Sequence, residues 1–521
     1  MSCNLFAKGL SKLRFSTKKE RILLGALDQS TTGTKFVVFD SLGNQIQQDM
    51  IPHDQITQKP GWLEHNAEQI LENANKAIQN TVRKLEQDGF SVSQIKSIGV
   101  TNQRETVVAW NKQTGKPYNN ALVWSDTRTR EICKKYLEKN NGNANHYSKI
   151  TGLPINTYFS SYKIRWLIEN VPQIRQDLFK DVVFGTMDSW LVWNLTKGNH
   201  FTDVTNASRT SLLNIKNLKY EKSILNDFEI PEETLPKVLS SSQEFGIIQD
   251  GPLKGIPIAA CLGDQQAASV GHGLFNLGDS KNTYGTGCFF LVNTGTEPRF
   301  VEGGGLLTTI LYKLGKDEPT VYGFEGSIEA GGSSINWARD NMGLYKDFHD
   351  LKDLIDKTKD TQGVYFVPAF SGLFSPFWRE DAAGCILGLT MHSKREHILR
   401  ALLEGIAYRT RDVVEAFEAT AGKKIDSLKI DGGLSKNKFL MQFQADILQK
   451  DIYQTKVVDS TCLGVAFAAG LSSNVYKDVE ELKQYIEIET KVSYNPQFSN
   501  QAEEQYKKWK KAIQRSMDWK D

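Results

Sequence analysis

The stretch LLGALDQSTTGTKFVVFD, residues 23–40, predicts the fold of the first part of the chain. Two apolar runs flank a polar turn that is rich in hydroxyl groups, and Asp28 stands at the mouth of that turn. Such a turn directs backbone N–H groups and hydroxyls towards one point, which suits a phosphate group, and the carboxylate could hold a divalent cation beside it. The alternative is a tight hairpin whose Ser and Thr side chains hydrogen-bond to their own backbone.

A second turn of the same kind lies near the middle of the chain, in NTYGTGCFFLV, residues 282–292. Again a polar segment rich in Gly and Thr leads into an apolar strand. Because the two turns open the two halves of the chain, we expect one nucleotide to lie in a cleft between two similar domains. A single Gly-Thr-Gly would be weak support for this prediction, and the paired placement is stronger.

The composition limits the classes of protein to which the chain can belong. Its 521 residues are enough for two large domains, because a single core stops growing at roughly 250–300 residues. The net charge of +2 argues against nucleic acid or an anionic membrane as the main partner. No apolar run approaches the roughly 20 residues of a membrane-spanning helix. The six cysteines are scattered, which predicts buried thiols in a reducing compartment and no structural zinc site.

Residues 1–20 differ from the rest of the chain because they are basic. Five Lys and Arg residues precede the first acidic residue, Glu20, and apolar residues lie between them. A leader of this composition can direct a chain to mitochondria, whereas the alternative is a disordered extension of a cytoplasmic protein. In both cases we expect the fold to begin near Arg21.

Strands alternate with helices as far as about residue 270, which predicts an α/β domain. Within it, the pattern Asn66-Ala67-Glu68-Gln69 predicts the capped start of a helix. The Gly-rich residues 271–278 mark the crossing to a second half that repeats the plan. There Ser393 is predicted to cap a long helix, and an amphipathic helix closes the chain.

Asp264 follows the apolar run 256–262 and precedes a helix of small residues, so it is expected at the carboxyl end of a strand. Phosphoryl transfer needs a carboxylate near the accepting hydroxyl, and Asp264 could supply it. The alternative is that Asp264 only caps the helix.

Eight segments, taken together and in order, point to a family. They are residues 26–29 (ALDQ), 60–65 (PGWLEH), 101–105 (TNQRE), 205–210 (TNASRT), 263–268 (GDQQAA), 282–289 (NTYGTGCF), 431–433 (DGG) and 439–444 (FLMQFQ). Through them nearly the whole chain resembles the glycerol kinases of the FGGY carbohydrate kinase family. The resemblance implies an α/β fold of two actin- or hexokinase-like (ribonuclease H-like) domains with an interdomain active-site cleft. It also implies the ATP-dependent phosphorylation of glycerol with Mg²⁺.

The resemblance implies a domain division and a set of site residues. Residues 21–272 would form the polyol and metal side, and residues 273–521 the nucleotide side. The implied polyol contacts are Arg104, Glu105, Tyr158, Asp264 and Gln265, with Trp124 and Phe289 as an apolar wall. The implied ATP-binding positions are Thr31, Thr32, Gly33, Lys35, Thr286, Gly332, Asn336, Gly433 and Asn437. Asp264 would be the catalytic base, and Asp28 would act on the metal.

Several alternatives to these assignments stay open at the level of sequence. Arg104 and Glu105 could form a surface ion pair, and Trp124 and Phe289 could be plain core. Another small polyol or a ketose could be the substrate, although residues 101–105 match the glycerol-specific form. A catalytically silent scaffold would have lost Asp264 or Asp28, and both are present. The expected partners are glycerol and MgATP, and a homodimer is left open.

Overall fold

The structure is a computed structural model that describes residues 21–301, 305–456 and 459–520. The predicted basic extension, residues 1–20, lies outside these described residues. Within the described part of the chain, no helix combines the length and apolarity that crossing a membrane requires.

The first half contains a six-stranded sheet in the order β13-β14-β5-β1-β2-β3 and a four-stranded sheet in the order β4-β7-β6-β8. Its strands are β1 (Leu23–Gln29), β2 (Gly33–Asp40), β3 (Gln45–Pro52), β4 (Glu64–His65), β5 (Ile95–Asn102), β6 (Val107–Asn111), β7 (Ala121–Leu122), β8 (Val182–Thr186), β9 (Phe201–Asp203), β10 (Leu213–Asn214), β11 (Lys219–Tyr220), β12 (Lys237–Leu239), β13 (Ser242–Ile247) and β14 (Pro257–Gly263). Its helices are α1 (Ala67–Gln87), α2 (Arg130–Lys139), α3 (Ser148–Thr151), α4 (Ser160–Asn170), α5 (Pro172–Asp177), α6 (Met187–Thr196), α7 (Val204–Ser208), α8 (Lys222–Phe228) and α9 (Asp264–Gly271).

The second half contains a seven-stranded sheet in the order β17-β18-β16-β15-β21-β22-β23. Its strands are β15 (Ser280–Tyr284), β16 (Cys288–Gly295), β17 (Leu307–Tyr312), β18 (Val321–Ile328), β19 (Tyr365–Val367), β20 (Cys385–Leu387), β21 (Leu428–Asp431), β22 (Ile452–Thr455) and β23 (Ile488–Val492). Its helices are α10 (Gly332–Asp340), α11 (Phe348–Asp356), α12 (Arg395–Ala421), α13 (Lys438–Leu448), α14 (Ser460–Ser472), α15 (Val479–Leu482) and α16 (Ser499–Ser516).

The two large sheets repeat one topology. In the first, β1 is antiparallel to β2 and parallel to β5, and β5 is parallel to β14. In the second, β15 is antiparallel to β16 and parallel to β21, and β21 is parallel to β22. A helix follows the outer parallel strand in each half, α9 after β14 and α14 after β22. The predicted duplication is therefore present, and the α/β fold is confirmed.

Both predicted hairpins form, because each apolar run is a strand whose side chains are buried on both faces. Every residue of β1 is buried, and seven of the eight residues of β2 are as well. The turn between them behaves partly as the hairpin alternative predicts, since the Ser30 backbone N–H and hydroxyl both donate to the Gly33 carbonyl, at 2.9 and 3.0 Å. A turn closed on itself in this way holds Asp28 and Lys35 opposite each other in the strand register.

Helices α9 and α14 cross with their backbones almost in contact. A methyl group added to Gly464 would lie 1.8 Å from the Ala267 carbonyl oxygen, and one added to Gly271 would lie 1.9 Å from that of Ser460. Only glycine permits such an approach, because any side chain would have to displace backbone atoms. Although α14 belongs to the second half in sequence, it packs in the same hydrophobic cluster as Leu24 of the first sheet.

The two predicted helix caps have different outcomes. Asn66 caps α1 as expected, since its side-chain oxygen accepts from the Glu68 and Gln69 N–H groups. The prediction for Ser393 is wrong, because its hydroxyl instead accepts from the Thr390 N–H at 2.9 Å and α12 is preceded by Lys394. The His397 ring supplies the missing acceptor to the Lys394 N–H, at 3.1 Å.

Candidate active site

Arg104 is a buried residue that joins the two halves. It follows β5 of the first sheet and is 3% exposed. Its two terminal nitrogens, Nη1 and Nη2, donate to Glu325 of β18 at 2.5 and 2.9 Å, which is a bidentate pair between the halves. Although burial acts to raise the pKa of Glu325, Arg104 and Arg209 lower it to about 2.

Glu105 forms its ion pair with Arg209 and not with the neighbouring Arg104. It adopts a positive φ of 59°, and its Oε1 accepts from the Nε of Arg209 at 2.6 Å. Arg209 also reaches Glu325, at 3.3 Å. Arg104 and Glu105 are both buried and pair with other residues, so the alternative of a surface ion pair between these two neighbours is wrong.

Asp264 is the carboxylate of this cluster whose side chain remains partly exposed. Its side chain is 30% exposed, against 0% for Glu325 and 1% for Glu105. One oxygen, Oδ1, lies 3.3 Å from Arg104 Nε and accepts from the Gln265 N–H at 2.7 Å. Burial raises the pKa of Asp264, and the charge of Arg104 opposes that rise. The prediction that Asp264 stands directly after a strand is confirmed, and the N-cap of α9 is Gly263.

Three half-buried aromatic rings stand together beside these charges. The Trp124 ring lies edge-on to Tyr158, with 5.5 Å between ring centroids, and to Phe289, at 6.4 Å. The indole N–H of Trp124 donates to the Thr31 hydroxyl at 3.0 Å, which ties this group to the first hairpin turn. The structure therefore brings Trp124 and Phe289 together from the two halves, as an apolar wall requires.

The mouth of the first hairpin holds a second ionic cluster that also spans the halves. Lys35 is 3.6 Å from Asp28 and hydrogen-bonds to Asp459, the residue that caps α14. Cys462 lies in the next turn, with its Sγ 4.0 Å from Asp28. Burial raises the pKa of Asp28 to about 7 against the opposing charge of Lys35. Oδ1 of Asp28 is buried and has no hydrogen-bond partner among the described residues.

The residues of the first turn that were predicted to bind ATP are neighbours in sequence but differ in exposure. Thr32 is exposed, whereas Gly33 is buried against β3. A methyl group at Gly33 would lie 2.9 Å from the Ile51 carbonyl oxygen. Thr31 and Thr32 are thus the residues of this turn that present hydroxyl groups outside the hairpin.

In the second turn, residues 285–287, the backbone is in direct contact with the backbone of other segments. The Gly332 N–H, at the start of α10, donates to the Gly285 carbonyl at 2.8 Å, next to the exposed Thr286. A methyl group at Gly432 would lie 2.5 Å from the Tyr284 carbonyl oxygen, while one at the exposed Gly433 would meet no atom within 4 Å. The second turn, the start of α10 and the segment after β21 therefore converge.

The two predicted asparagines of this side play different structural parts. Asn437 caps α13, since its side-chain oxygen accepts from the Leu440 N–H at 3.0 Å. Its NH₂ group is not used by that bond. Asn336 lies one turn into α10 and is exposed.

Comparison with known proteins decides the family. The FGGY family of carbohydrate kinases matches in two parts, its N-terminal domain over residues 23–271 and its C-terminal domain over residues 280–473. The chain belongs to the FGGY family of carbohydrate kinases. The predicted family and its two-domain kinase fold are confirmed.

Relatives of this FGGY chain align over nearly its whole length. The glycerol kinase of Chloroflexus aurantiacus is 45% identical over 500 residues, which cover 95% of this chain and 98% of the relative. The probable glycerol kinase of Dictyostelium discoideum is 42% identical, covering 96% and 99%. Among solved structures, Plasmodium falciparum glycerol kinase with ADP superposes with a TM-score of 0.89 at 38% identity, covering 95% and 98%. A Lactobacillus acidophilus xylulose kinase, at 22% identity and a TM-score of 0.84, shares the fold.

Sequence reasoning missed three charged residues of this FGGY site: Arg209, Glu325 and Lys281. Arg209 lay within a matched segment but was given no role. Glu325 is the one charged residue of β18, and Lys281 the one charged residue of β15. A single charge inside a buried strand was the available signal, because such a charge needs a partner.

Proposed function

We propose that this FGGY kinase transfers the γ-phosphoryl group of ATP to a terminal hydroxyl of glycerol, giving sn-glycerol 3-phosphate. This would be the first step of glycerol catabolism and a supply of glycerolipid precursor. The observation that carries the proposal is a contrast among three carboxylates. Glu325 and Glu105 are buried and paired with arginines, whereas the side chain of Asp264 is 30% exposed. A carboxylate left open in this position can accept the proton of the attacking hydroxyl.

The surroundings of Asp264 suit a short, neutral polyol. Gln265 offers amide donors, Glu105 an acceptor, and Arg104 both charge and a further N–H, so that each hydroxyl of a triol can be paired. The aromatic wall of Trp124 and Phe289 supplies an apolar surface for the carbon chain. A neutral ligand also fits because the buried arginines already have carboxylate partners and leave no net charge to match.

The first hairpin turn would face the phosphates of ATP, and Asp28 would hold Mg²⁺. Asp28 fits this part because its buried Oδ1 has no partner among the described residues and Mg²⁺ prefers carboxylate oxygens and water. The metal, when bound, would neutralise charge on the phosphates. Lys35 would add a point charge, and Thr31, Thr32 and Thr286 would offer hydroxyls. Gly332, Gly433, Asn336 and Asn437 would lie on the adenosine side.

A coupled ADP-release assay across a panel of polyols and sugars tests the proposed function. We expect glycerol-dependent ADP release that far exceeds release with xylulose, gluconate or longer polyols, and NMR should show the product to be glycerol phosphorylated on a terminal carbon. A preference for a ketose would overturn the choice of substrate. Absence of ADP release with every acceptor would overturn the proposed reaction and favour a silent scaffold.

Three remaining assignments complete the proposal. We infer a polyol side from residues 21–272 and a nucleotide side from residues 273–521. A homodimer stays open as the oligomeric state, and size-exclusion chromatography with light scattering would test it. The basic residues 1–20 would either address the chain to mitochondria or form an extension of a cytoplasmic enzyme. Imaging the full-length chain and a variant that lacks residues 1–19 distinguishes these two outcomes.

A further inference from the structure

Lys281 is a fully buried lysine beside Gln265, and the proposed function gives it no role. It belongs to β15 of the second half, with 0% of its surface exposed. Among the described residues, no carboxylate oxygen lies within ion-pair distance of its ammonium group. Instead its Nζ donates to the Gln265 side-chain oxygen at 2.5 Å and to the Thr283 hydroxyl at 2.7 Å. A buried cation with two neutral partners is costly, and that cost calls for an explanation.

The contact with Lys281 decides which way the Gln265 amide points. An ammonium group has three donors and no acceptor, so it can face only the oxygen of the carboxamide. The NH₂ group of Gln265 is thereby turned away from Lys281, and no described residue accepts a hydrogen bond from it. Because Gln265 adjoins Asp264 at the start of α9, two N–H donors are left beside this partly exposed carboxylate.

Nearby carboxylates help Lys281 to keep the proton with which it donates to the Gln265 oxygen. Burial lowers the pKa of Lys281 to about 8, while Asp431 and Asp264 oppose the loss of the proton. The same charge acts on Asp264, where Lys281 lowers the pKa in company with Arg104. The simpler alternative is that Lys281 only ties β15 to α9, across the two halves of the fold.

We propose that Lys281 is a positioning residue that fixes the Gln265 carboxamide with its NH₂ group towards the polyol. Without Lys281 the amide is free to rotate by half a turn, so that its oxygen in place of its NH₂ group can face the hydroxyl. The donors of Gln265 select an oxygen lone pair of the substrate, so Lys281 acts on polyol affinity through Gln265. This inference rests on the proposed function, in which Gln265 contacts the polyol.

A double-mutant cycle between Lys281 and Gln265 tests the proposal. We expect Lys281→Met to raise the KM for glycerol roughly tenfold, the effect of about one hydrogen bond, with the KM for ATP unchanged. In a Gln265→Leu background the same change should alter the KM for glycerol by less than about twofold, because the two residues act as one unit. Equal effects of Lys281→Met in both backgrounds would overturn the proposal.

A third variant separates the donor from the structural contact. Gln265→Glu keeps an acceptor for Lys281, and strengthens that bond, but removes the NH₂ group. We expect this variant to melt no lower than the wild type and to have a glycerol KM raised as far as that of Lys281→Met. It also keeps the proposal testable if Lys281→Met does not fold. A glycerol KM unchanged in Gln265→Glu would show that the NH₂ group does not contact the polyol.

The matched control is Lys429, which lies opposite Lys281 in the register of β15 and β21. Among the described residues, its ammonium group donates to the backbone carbonyls of His272 and Gly273, at 2.8 and 3.2 Å, and to no side chain. Lys429→Met should lower the melting temperature without changing the KM for glycerol. If Lys429→Met also raised the KM for glycerol, the effect of Lys281→Met would be a structural one, and the proposal would be overturned. If the wild type shows no glycerol-dependent ADP release, the proposed function fails instead, and the two failures are distinguishable.

Discussion

The two halves share one topology but use it differently at the cleft. At the ends of β1, β5 and β14 the first half places charged side chains: Asp28, Arg104 and Asp264. Beyond the equivalent strands β15 and β21 the second half places Gly287 and Gly432, where a methyl group would lie 2.6 and 2.5 Å from a backbone carbonyl oxygen. The charged residue that ends β21, Asp431, is buried and paired with His272 at 2.9 Å. The comparison teaches that a duplicated fold need not duplicate chemistry.

This division follows from what each half is proposed to hold. In the proposal, the first half binds the short polyol and accepts its proton with charged side chains that buried ion pairs hold in place. A nucleotide is larger and flatter, so the backbone must approach it closely, which is what glycine allows. The bidentate pair of Arg104 with Glu325 then joins the two kinds of surface across the cleft.

The largest effect is expected at Asp264, compared with Asp459, which precedes the equivalent helix of the second half. Asp264→Asn should reduce kcat by roughly 10²–10⁴-fold, because the amide cannot take the hydroxyl proton. Asp459→Asn should retain most of kcat, since Asp459 bonds to Lys35 and caps α14. Steady-state kinetics of both variants checks this. Equal losses of kcat would contradict the assignment of the base to the first half.

Arg104→Ala should both destabilise the fold and weaken glycerol binding, because it leaves Glu325 buried without its bidentate partner. Removing one partner of a buried ion pair costs roughly 3–5 kcal/mol of stability. Urea unfolding of the variant would measure this loss. The double variant Arg104→Ala with Glu325→Gln should recover much of the stability and none of the glycerol affinity. A single variant as stable as the wild type would show that the pair does not join the halves.

Two adjacent glycines after β21 should respond differently to alanine. Gly432 has a φ of 88° and no room for a methyl group, so Gly432→Ala should cost roughly 1–3 kcal/mol of stability. Gly433→Ala meets no atom of the protein and should leave the melting temperature unchanged while raising the KM for ATP. A KM for ATP that is unchanged in Gly433→Ala would remove Gly433 from the proposed nucleotide surface.

The smallest effect concerns pH and lies in the first half, at the buried His65, whose Nδ1 is 3.2 Å from the Gln103 side-chain nitrogen. Burial, with His53 nearby, lowers the pKa of His65 from 6.5 to about 3. As the pH falls, the unfolded chain takes up a proton on His65 before the folded chain does. The stability that the neutral ring contributes is therefore complete above pH 6.5 and is lost as the pH falls towards about 3. His65→Gln should therefore reduce, by a few degrees, the fall in melting temperature between neutral pH and about pH 5. An identical fall in both proteins would contradict this.

The sequence predicted the local elements well, because hairpins and caps depend on neighbouring residues. The strand pair around Asp28, the cap at Asn66 and the position of Asp264 after β14 were all readable. Ser393 was misassigned, since a loop hydroxyl can satisfy a different backbone group.

Long-range partners could not be predicted from the sequence. Arg104 and Glu325 are separated by 221 residues, and Arg209 and Glu105 by 104. No local pattern specifies which carboxylate a buried arginine will meet, because the choice depends on how the two halves close. The packing of α14 on the first sheet was missed for the same reason, and the site assignments carried by the resemblance stay predictions.

The position of α14 has a consequence for how the chain is made. The apolar face of the first sheet, with Leu24 and Val37, is covered by Leu463 and Val465 of α14. On the ribosome, the first half would emerge long before this helix is synthesised, and its sheet would stay partly uncovered until then. A nascent chain in that state exposes apolar surface that favours aggregation, so its biosynthesis places a demand on chaperones that its finished form does not show.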